Sequence, residues 1–204
     1  VRISGKAAMT SSAALASASS ARRHMLEAAG LTFAVVPSPA NEESAKATYR
    51  AGGMKPAAQT EALAELKALS VSGERAGLVV GADQMLAIDG RVLDKPKDIA
   101  EARQHLMALR GKTHELLTAV AVTRGTQVLW RHLGVPRLTM RDFSDAFLDN
   151  YLARVGEKGG RVGGADQREG LGAQLFDRVE GDHFSVLGLP VLPRLAFLRE
   201  QRIA

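Results

Sequence analysis

Leu15-Ala16-Ser17-Ala18-Ser19-Ser20-Ala21-Arg22-Arg23 runs directly into His24-Met25-Leu26-Glu27-Ala28-Ala29-Gly30. An apolar run passes through a loop of small residues into two arginines and a helix-like stretch. The pattern predicts a strand over residues 13–17 and a helix over residues 22–29, closed by Gly30 as its C-terminal cap. A helix start carries unpaired backbone N–H groups and a positive dipole end, and small side chains let an anion approach them. Two guanidiniums on the first turn add charge and forked donors suited to phosphate. The same serines also suit ordinary helix capping, with the arginines facing water, so the segment alone admits both readings.

Outward from this stretch, strand-like and helix-like segments alternate, which predicts an α/β architecture. A short strand is expected at residues 33–36, stopped by Pro37 and Pro39, and a helix at residues 56–70 with Leu63 and Leu66 on one face. Lys67, four residues after Leu63, falls on the shoulder of that face. Two apolar strand pieces, 78–83 and 85–88, precede a hairpin turn at Asp89-Gly90 and a strand at 91–93. Asp98 and Glu101 resemble a capping box opening a helix to about Leu109. Two long strands are expected over 115–123 and 127–140, joined at Gly125, followed by a helix from Ser144 to about Arg154. Residues 156–172 hold seven glycines among charged residues, suited to a flexible or closely packed loop. An amphipathic helix is expected over residues 190–201.

At 204 residues the chain can bury a proper core, and 46% hydrophobic with 24% charged residues is ordinary for a globular protein. It has no cysteine, which excludes a disulfide framework, a thiolate zinc site and a cysteine nucleophile. A cytoplasmic protein is expected. No apolar run approaches the roughly 20 residues of a membrane-spanning helix, so no membrane partner is expected. Residues 1–12 are expected to be disordered or foreign to the natural chain, with Met9 a candidate start and no signal-peptide pattern after Arg2 and Lys6. A net charge of +5 and a pI near 9.8 admit anionic partners. Only 4% of residues are aromatic and the basic residues are scattered, which favours small anions over a nucleic-acid polymer.

Several residues suit the chemistry of phosphate. Asp83, with Gln84 beside it, is expected just beyond a buried strand, where ligands gather in open α/β sheets. Lys95, before Pro96, lies in extended backbone at a strand exit. Asn41-Glu42-Glu43 is expected in a loop, as acids of a helix-start type. Arginines, Glu42, Lys67, Asp83 and Lys95 are together the parts of a metal-dependent attack on a polyphosphate. Hard oxygens hold the cation, a carboxylate activates water, and cations neutralise phosphate oxygens. No Gly-x-Ser-x-Gly elbow or Walker-type loop occurs, and the five histidines show no metal-ligand spacing.

Read in order, Leu15–Ser19 with its arginines, Asn41-Glu42, residues 63–68, Gly81-Ala82-Asp83-Gln84, Asp94-Lys95-Pro96, residues 111–114, residues 169–172 and residues 186–190 resemble the Maf family of nucleoside triphosphate pyrophosphatases. The resemblance runs from about Ala13 to Leu198 and implies a single domain. It implies an extended mixed β-sheet flanked by helices, two lobes around a nucleotide cleft as in inosine triphosphatases, and a homodimer. It also implies hydrolysis of a nucleoside triphosphate to the monophosphate and pyrophosphate with Mg²⁺ or Mn²⁺. Under it, Asp83 is the proton acceptor and a metal ligand, Glu42 the second metal carboxylate, and Lys67 and Lys95 the phosphate-facing lysines. Ser17, Ser19 and Arg22 hold the triphosphate, with Ala21, Arg23, Gln84 and Glu169 completing the substrate-binding set.

The chain also departs from family patterns. Members favouring dTTP and UTP read Ser-Pro-Arg-Arg after the strand, so their first arginine falls on Ala21 and their second on Arg22. Gln84 and Glu169 are nearer the branch acting on 7-methyl-GTP, and Glu169 could accept from the N1–H and amino group of a guanine. That branch places a tryptophan at Ala21, where a stacked ring would favour a cationic base. Trp130, the only tryptophan, is expected in the core. Asn41 replaces a more usual Asp. With Ala21, it favours the alternative reading of a nucleotide-binding regulator of septum formation with little catalysis.

Overall fold

The computed structural model describes residues 13–73, 75, 77–157 and 170–200. The chain forms β1 (Ala13–Ala16), α1 (Ser20–Ala28), β2 (Ala34–Val35), α2 (Glu42–Ala51), α3 (Pro56–Ser72), β3 (Leu78–Ile88), β4 (Arg91–Leu93) and α4 (Ile99–Leu109). It continues with β5 (Thr113–Arg124), β6 (Gln127–Gly134), β7 (Arg137–Met140) and α5 (Asp145–Glu157). A 3-10 turn (Leu171–Leu175), β8 (Phe176–Glu180), α6 (His183–Val186) and α7 (Val191–Glu200) follow. Among the described residues no helix is long and apolar enough to cross a membrane.

Two long strands organise a mixed sheet. β3 and β5 pair antiparallel from Val79↔Thr123 to Ala87↔Glu115. On the outer side of β3, parallel β1 covers Leu78–Gly81 and antiparallel β4 covers Leu86–Ile88. On the outer side of β5, β6 covers Thr118–Arg124 and β7 covers Thr113–Glu115. The sheet therefore forks into two lobes, β2-β1-β3-β5-β6 and β4-β3-β5-β7-β8, that share β3 and β5. Residues 82–85 of β3 lie in the fork and have no strand partner on the β1/β4 side.

Strand alternation assigns the layers. The odd-numbered face of β3 meets α3: Ala64 and Ala68 pack with Val79, and Leu63 packs with Met85 and Ala87. The even-numbered face is covered in the first lobe by Met25 and Leu26 of α1 and by Phe197 and Leu198 of α7. In the second lobe, Leu86 and Ile88 pack against the core formed by α4 and α5.

The small residues of α3 let it approach the sheet closely. A Cβ on Gly81 would stand 2.2 Å from the Ala64 carbonyl oxygen and 2.6 Å from the Ala68 nitrogen. Backbone cannot yield cheaply, so Gly81→Ala must lift α3 off the sheet. We expect Gly81→Ala to cost about 3 kcal/mol or more in urea unfolding, and to reduce activity in the surviving folded fraction because α3 carries Lys67.

Burial also sets a stability prediction on α7. Arg194 is 1% exposed, and its Nε and Nη2 lack hydrogen-bond partners among the described residues. Burial alone pushes its guanidinium down from its ordinary value to about 10. The depressed value means that the unfolded chain binds this proton more tightly. The cost to folding is thus fully present below pH 10 and diminishes only as pH rises above that value towards the ordinary arginine range. At about 1.4 kcal/mol per pH unit, Arg194→Met should stabilise by roughly 3 kcal/mol and raise Tm by several degrees. Calorimetry at pH 6 and pH 9 should give the same increment, because Arg194 stays charged at both.

Several expectations need correction. Residues 78–88 form one strand, because β5 pairs continuously along it and holds Asp83 and Gln84 in extended backbone despite their poor strand propensity. Residues 127–140 form two strands, broken around Pro136, which has no N–H for a ladder and whose carbonyl accepts from Leu116 N at 2.9 Å. The segment expected as a loop at Asn41 instead opens α2, which has no fully buried residue and so no strong apolar stripe. The first helix starts earlier than expected, at Ser20. Lys67 is 7% exposed, buried rather than on a shoulder. Trp130, expected in the core, does pack against the first-lobe core but is only half-buried, its ring stacked with His132 and with Phe197 at centroid distances of 5.7 and 5.5 Å. Most of the glycine-rich stretch, including Glu169, lies outside the described residues.

Candidate functional site

β1 stops at Ala16, paired with Gly81, and its chain turns away into α1 while β3 continues. The turn is self-braced. Ser17 Oγ accepts from Ser19 N at 3.2 Å, and Ser19 caps α1 by accepting from Arg22 N at 3.3 Å. Ala21 is half-buried in the first turn of α1. Arg22 reaches back over the open edge of β3. Its Nη1 donates to the Ala82 carbonyl at 2.9 Å and to Ser17 Oγ at 3.3 Å, and its Nε donates to the Gly188 carbonyl at 2.9 Å. The Ala82 carbonyl is available because β1 has already ended. Arg23 is exposed and faces Glu27 at 3.8 Å, one turn along the same helix.

Asp83 projects from the odd face of β3 towards α3 and is 6% exposed. Its Oδ1 accepts from Lys67 Nζ at 2.7 Å, and the same ammonium stands 2.8 Å from Glu42 Oε2. Glu42 is the first residue of α2, whose cap is Asn41, with Oδ1 accepting from Ser44 N at 3.0 Å. Asn41 thus has a structural task at its position. One buried lysine bridges two carboxylates contributed by separate elements. Desolvation lowers the Arg22 guanidinium from its ordinary value, while Asp83 and Glu42 pull it part of the way back. The four charges share one electrostatic environment in which positive and negative balance.

Gln84, the next residue along β3, points to the opposite face. Its Nε2 donates to Thr118 Oγ1 at 2.7 Å and to the Ser185 and Val186 carbonyls at 2.9 and 3.4 Å. Lys95 is exposed just after β4. The antiparallel register Leu86↔Leu93 sends this chain back along β3 towards Asp83, and Arg50 Nη2 of α2 holds Asp94 Oδ1 at 2.8 Å. The structure brings Ser17, Ser19, Arg22, Glu42, Lys67 and Asp83 together around the fork. Lys95 stands on its approach, Gln84 behind the sheet, and Arg23 outside.

A family model described as Maf-like protein matches residues 12–201. The chain belongs to the Maf family. Among similar proteins, the Nucleoside triphosphate pyrophosphatase of Paramagnetospirillum magneticum is 50% identical over 187 residues, covering 91% of this chain and 96% of that one. The protein of the same name from Hyphomonas neptunium is 45% identical over 195 residues, covering 96% and 98%. The 7-methyl-GTP pyrophosphatase of Rhizobium meliloti is 45% identical over 187 residues, covering 91% and 94%.

In this Maf-like chain the residues at the fork suit a hard divalent cation. Asp83 Oδ2 is buried without a hydrogen-bond partner among the described residues, and Glu42 stands across Lys67 from it. No group of three or more candidate ligands occurs among the described residues. Two carboxylates are what Mg²⁺ needs when it keeps several waters and takes its remaining ligands from phosphate oxygens.

Sequence reading missed the backbone acceptors of the site, the carbonyls of Ala82 and Gly188, and the support given by Thr118 and Ser185. Carbonyls have no residue signature. Gly188 lies within the stretch at residues 186–190 that carries part of the Maf resemblance, which was its only signal.

Proposed function

We propose that this Maf-like chain is a metal-dependent nucleoside triphosphate pyrophosphatase, cleaving between the α- and β-phosphates to give a nucleoside monophosphate and pyrophosphate. The observation that carries the reading is the Lys67 ammonium held between Asp83 and Glu42, with the second Asp83 oxygen unpartnered and Arg22 alongside. The names of the relatives support the same reaction.

Asp83 and Glu42 would hold the divalent cation, which supplies a Lewis acid for the phosphates and lowers the pKa of a bound water. Asp83 takes the proton of the water that attacks the α-phosphorus, and the bond from that phosphorus to the bridging oxygen breaks, releasing pyrophosphate. Lys67, tethered by two carboxylates, places its positive charge where negative charge gathers on the phosphate oxygens. Lys95, on the approach, and the Nη2 of Arg22, which no described residue bonds, meet the outer phosphates.

The proposed base is guanine-type, 7-methyl-GTP or another modified nucleotide, with Glu169 as the acceptor. The pyrophosphatases of that name among the relatives support it. Pyrophosphate release should be measured across dTTP, UTP, CTP, GTP and 7-methyl-GTP. Stoichiometric pyrophosphate is expected, fastest with the guanine nucleotides, abolished by EDTA and restored by Mg²⁺ or Mn²⁺. No release from any member of the panel would overturn the activity, and a preference for dTTP or UTP would overturn the base.

A further inference from the structure

We infer that the turn spanning residues 182–189 is a positioning element of the nucleotide site, with the Gly188 carbonyl setting the orientation of Arg22. The inference rests on the proposed reading that Arg22 meets phosphate. The guanidinium is held on two of its three nitrogens: Nε by Gly188, and Nη1 by Ala82 and Ser17. Only Nη2 has no partner among the described residues, so the clamp selects which edge of Arg22 faces a ligand. Gly188 is the only part of the clamp that comes from outside the β1–β3 region, 166 residues along the chain from Arg22.

The turn is built to keep that carbonyl in place. Asp182 Oδ2 accepts from both Ser185 N and Ser185 Oγ at 2.7 Å. Ser185 O in turn accepts from Gln84 Nε2 at 2.9 Å and from Thr118 Oγ1 at 3.0 Å. Leu189, fully buried, anchors the far end beside Leu15 and Leu26. Gln84 and Gly188 thus act on the site through Arg22, from the face of β3 opposite Asp83. Gly188 has φ +105°, a backbone that L side chains rarely adopt, yet an added Cβ would meet nothing closer than Gln84 Oε1 at 3.7 Å. Gly188→Ala therefore fits by volume and fails by conformation. Its effect is to re-aim the carbonyl away from Arg22.

The test is a double-mutant cycle of Gly188→Ala with Arg22→Lys. Lysine has one short-ranged ammonium and cannot bond Gly188 and Ala82 as the forked guanidinium does. Gly188→Ala alone should raise KM for the preferred nucleotide, and Kd for inorganic tripolyphosphate by calorimetry, about tenfold, with kcat changed by about twofold or less. In the Arg22→Lys background the same change should move KM and Kd by less than about twofold. Leu198→Ala, which weakens the same core without touching the clamp, should lower Tm and leave KM unchanged. If Gly188→Ala does not fold, Gln84→Met removes one of the hydrogen bonds that hold the turn and should show the same coupling to Arg22. Additive effects, or a fall in Tm with unchanged KM and Kd, would overturn the inference while normal pyrophosphate release leaves the activity standing. Absent pyrophosphate release with tripolyphosphate binding still coupled would do the reverse.

Discussion

Asp83→Asn is expected to lower kcat about 10³-fold, within the range for loss of a positioned general base, with the protein still folded. Asn matches Asp in shape, and its amide oxygen can still accept from Lys67, so the bridge to Glu42 survives in outline. Two things are lost together. The unpartnered Oδ2 becomes a donor that cannot take a proton, and the site loses one of the two negative charges facing Lys67 and Arg22. Pyrophosphate release under saturating nucleotide, with circular dichroism and Tm on the same sample, checks it. A variant that turns over within about tenfold of the parent would show that the proton goes elsewhere.

The second large effect is at Lys67, where Met substitution should destabilise the protein as well as inactivate it. Lys67 neutralises two carboxylates from α2 and β3, and both its own side chain and that of Asp83 are only 9% exposed. Removing one partner of a buried ion pair typically costs about 3–5 kcal/mol because an uncompensated charge stays behind. For a chain of this size that corresponds to a Tm lower by roughly 6 °C or more. Thermal scans of the parent and of Lys67→Met in the same buffer read the deficit directly, and an unchanged Tm would show that the two acids do not need this ammonium.

How far residues announce structure depended on where each fold signal came from. β1, the Asp98 cap and the Asp89-Gly90 hairpin were legible because local chemistry decides them, and Asp98 Oδ1 does accept from Glu101 N at 2.8 Å. α2 was not, because a helix that buries no residue fully leaves no stripe to read, and only Asn41 and Glu42-Glu43 mark its start. β3 reads as two pieces in the sequence for a related reason. Asp83 and Gln84 are poor strand formers, and the pairing that keeps them extended comes from β5, more than thirty residues away. In the site, side chains with charge could be picked out, and the family resemblance ordered them. Their division between two faces of β3 follows from strand alternation once 78–88 is one strand. The buried position of Lys67 follows from the close approach of α3 at Gly81, which no reading of α3 alone contains.

The forked sheet bears on how such an enzyme can move. β3 and β5 run unbroken through both lobes, joined from Val79↔Thr123 to Ala87↔Glu115. Swinging the lobes apart would require bending two paired strands at the level of Asp83, tearing the ladder that holds the acid in place. Motion in this frame therefore falls to segments that hang on its rim, the loop after β1 and the chain carrying Lys95. The charged core at Asp83 is built into that frame, so its charges are placed by the paired strands and α3 rather than by the rim.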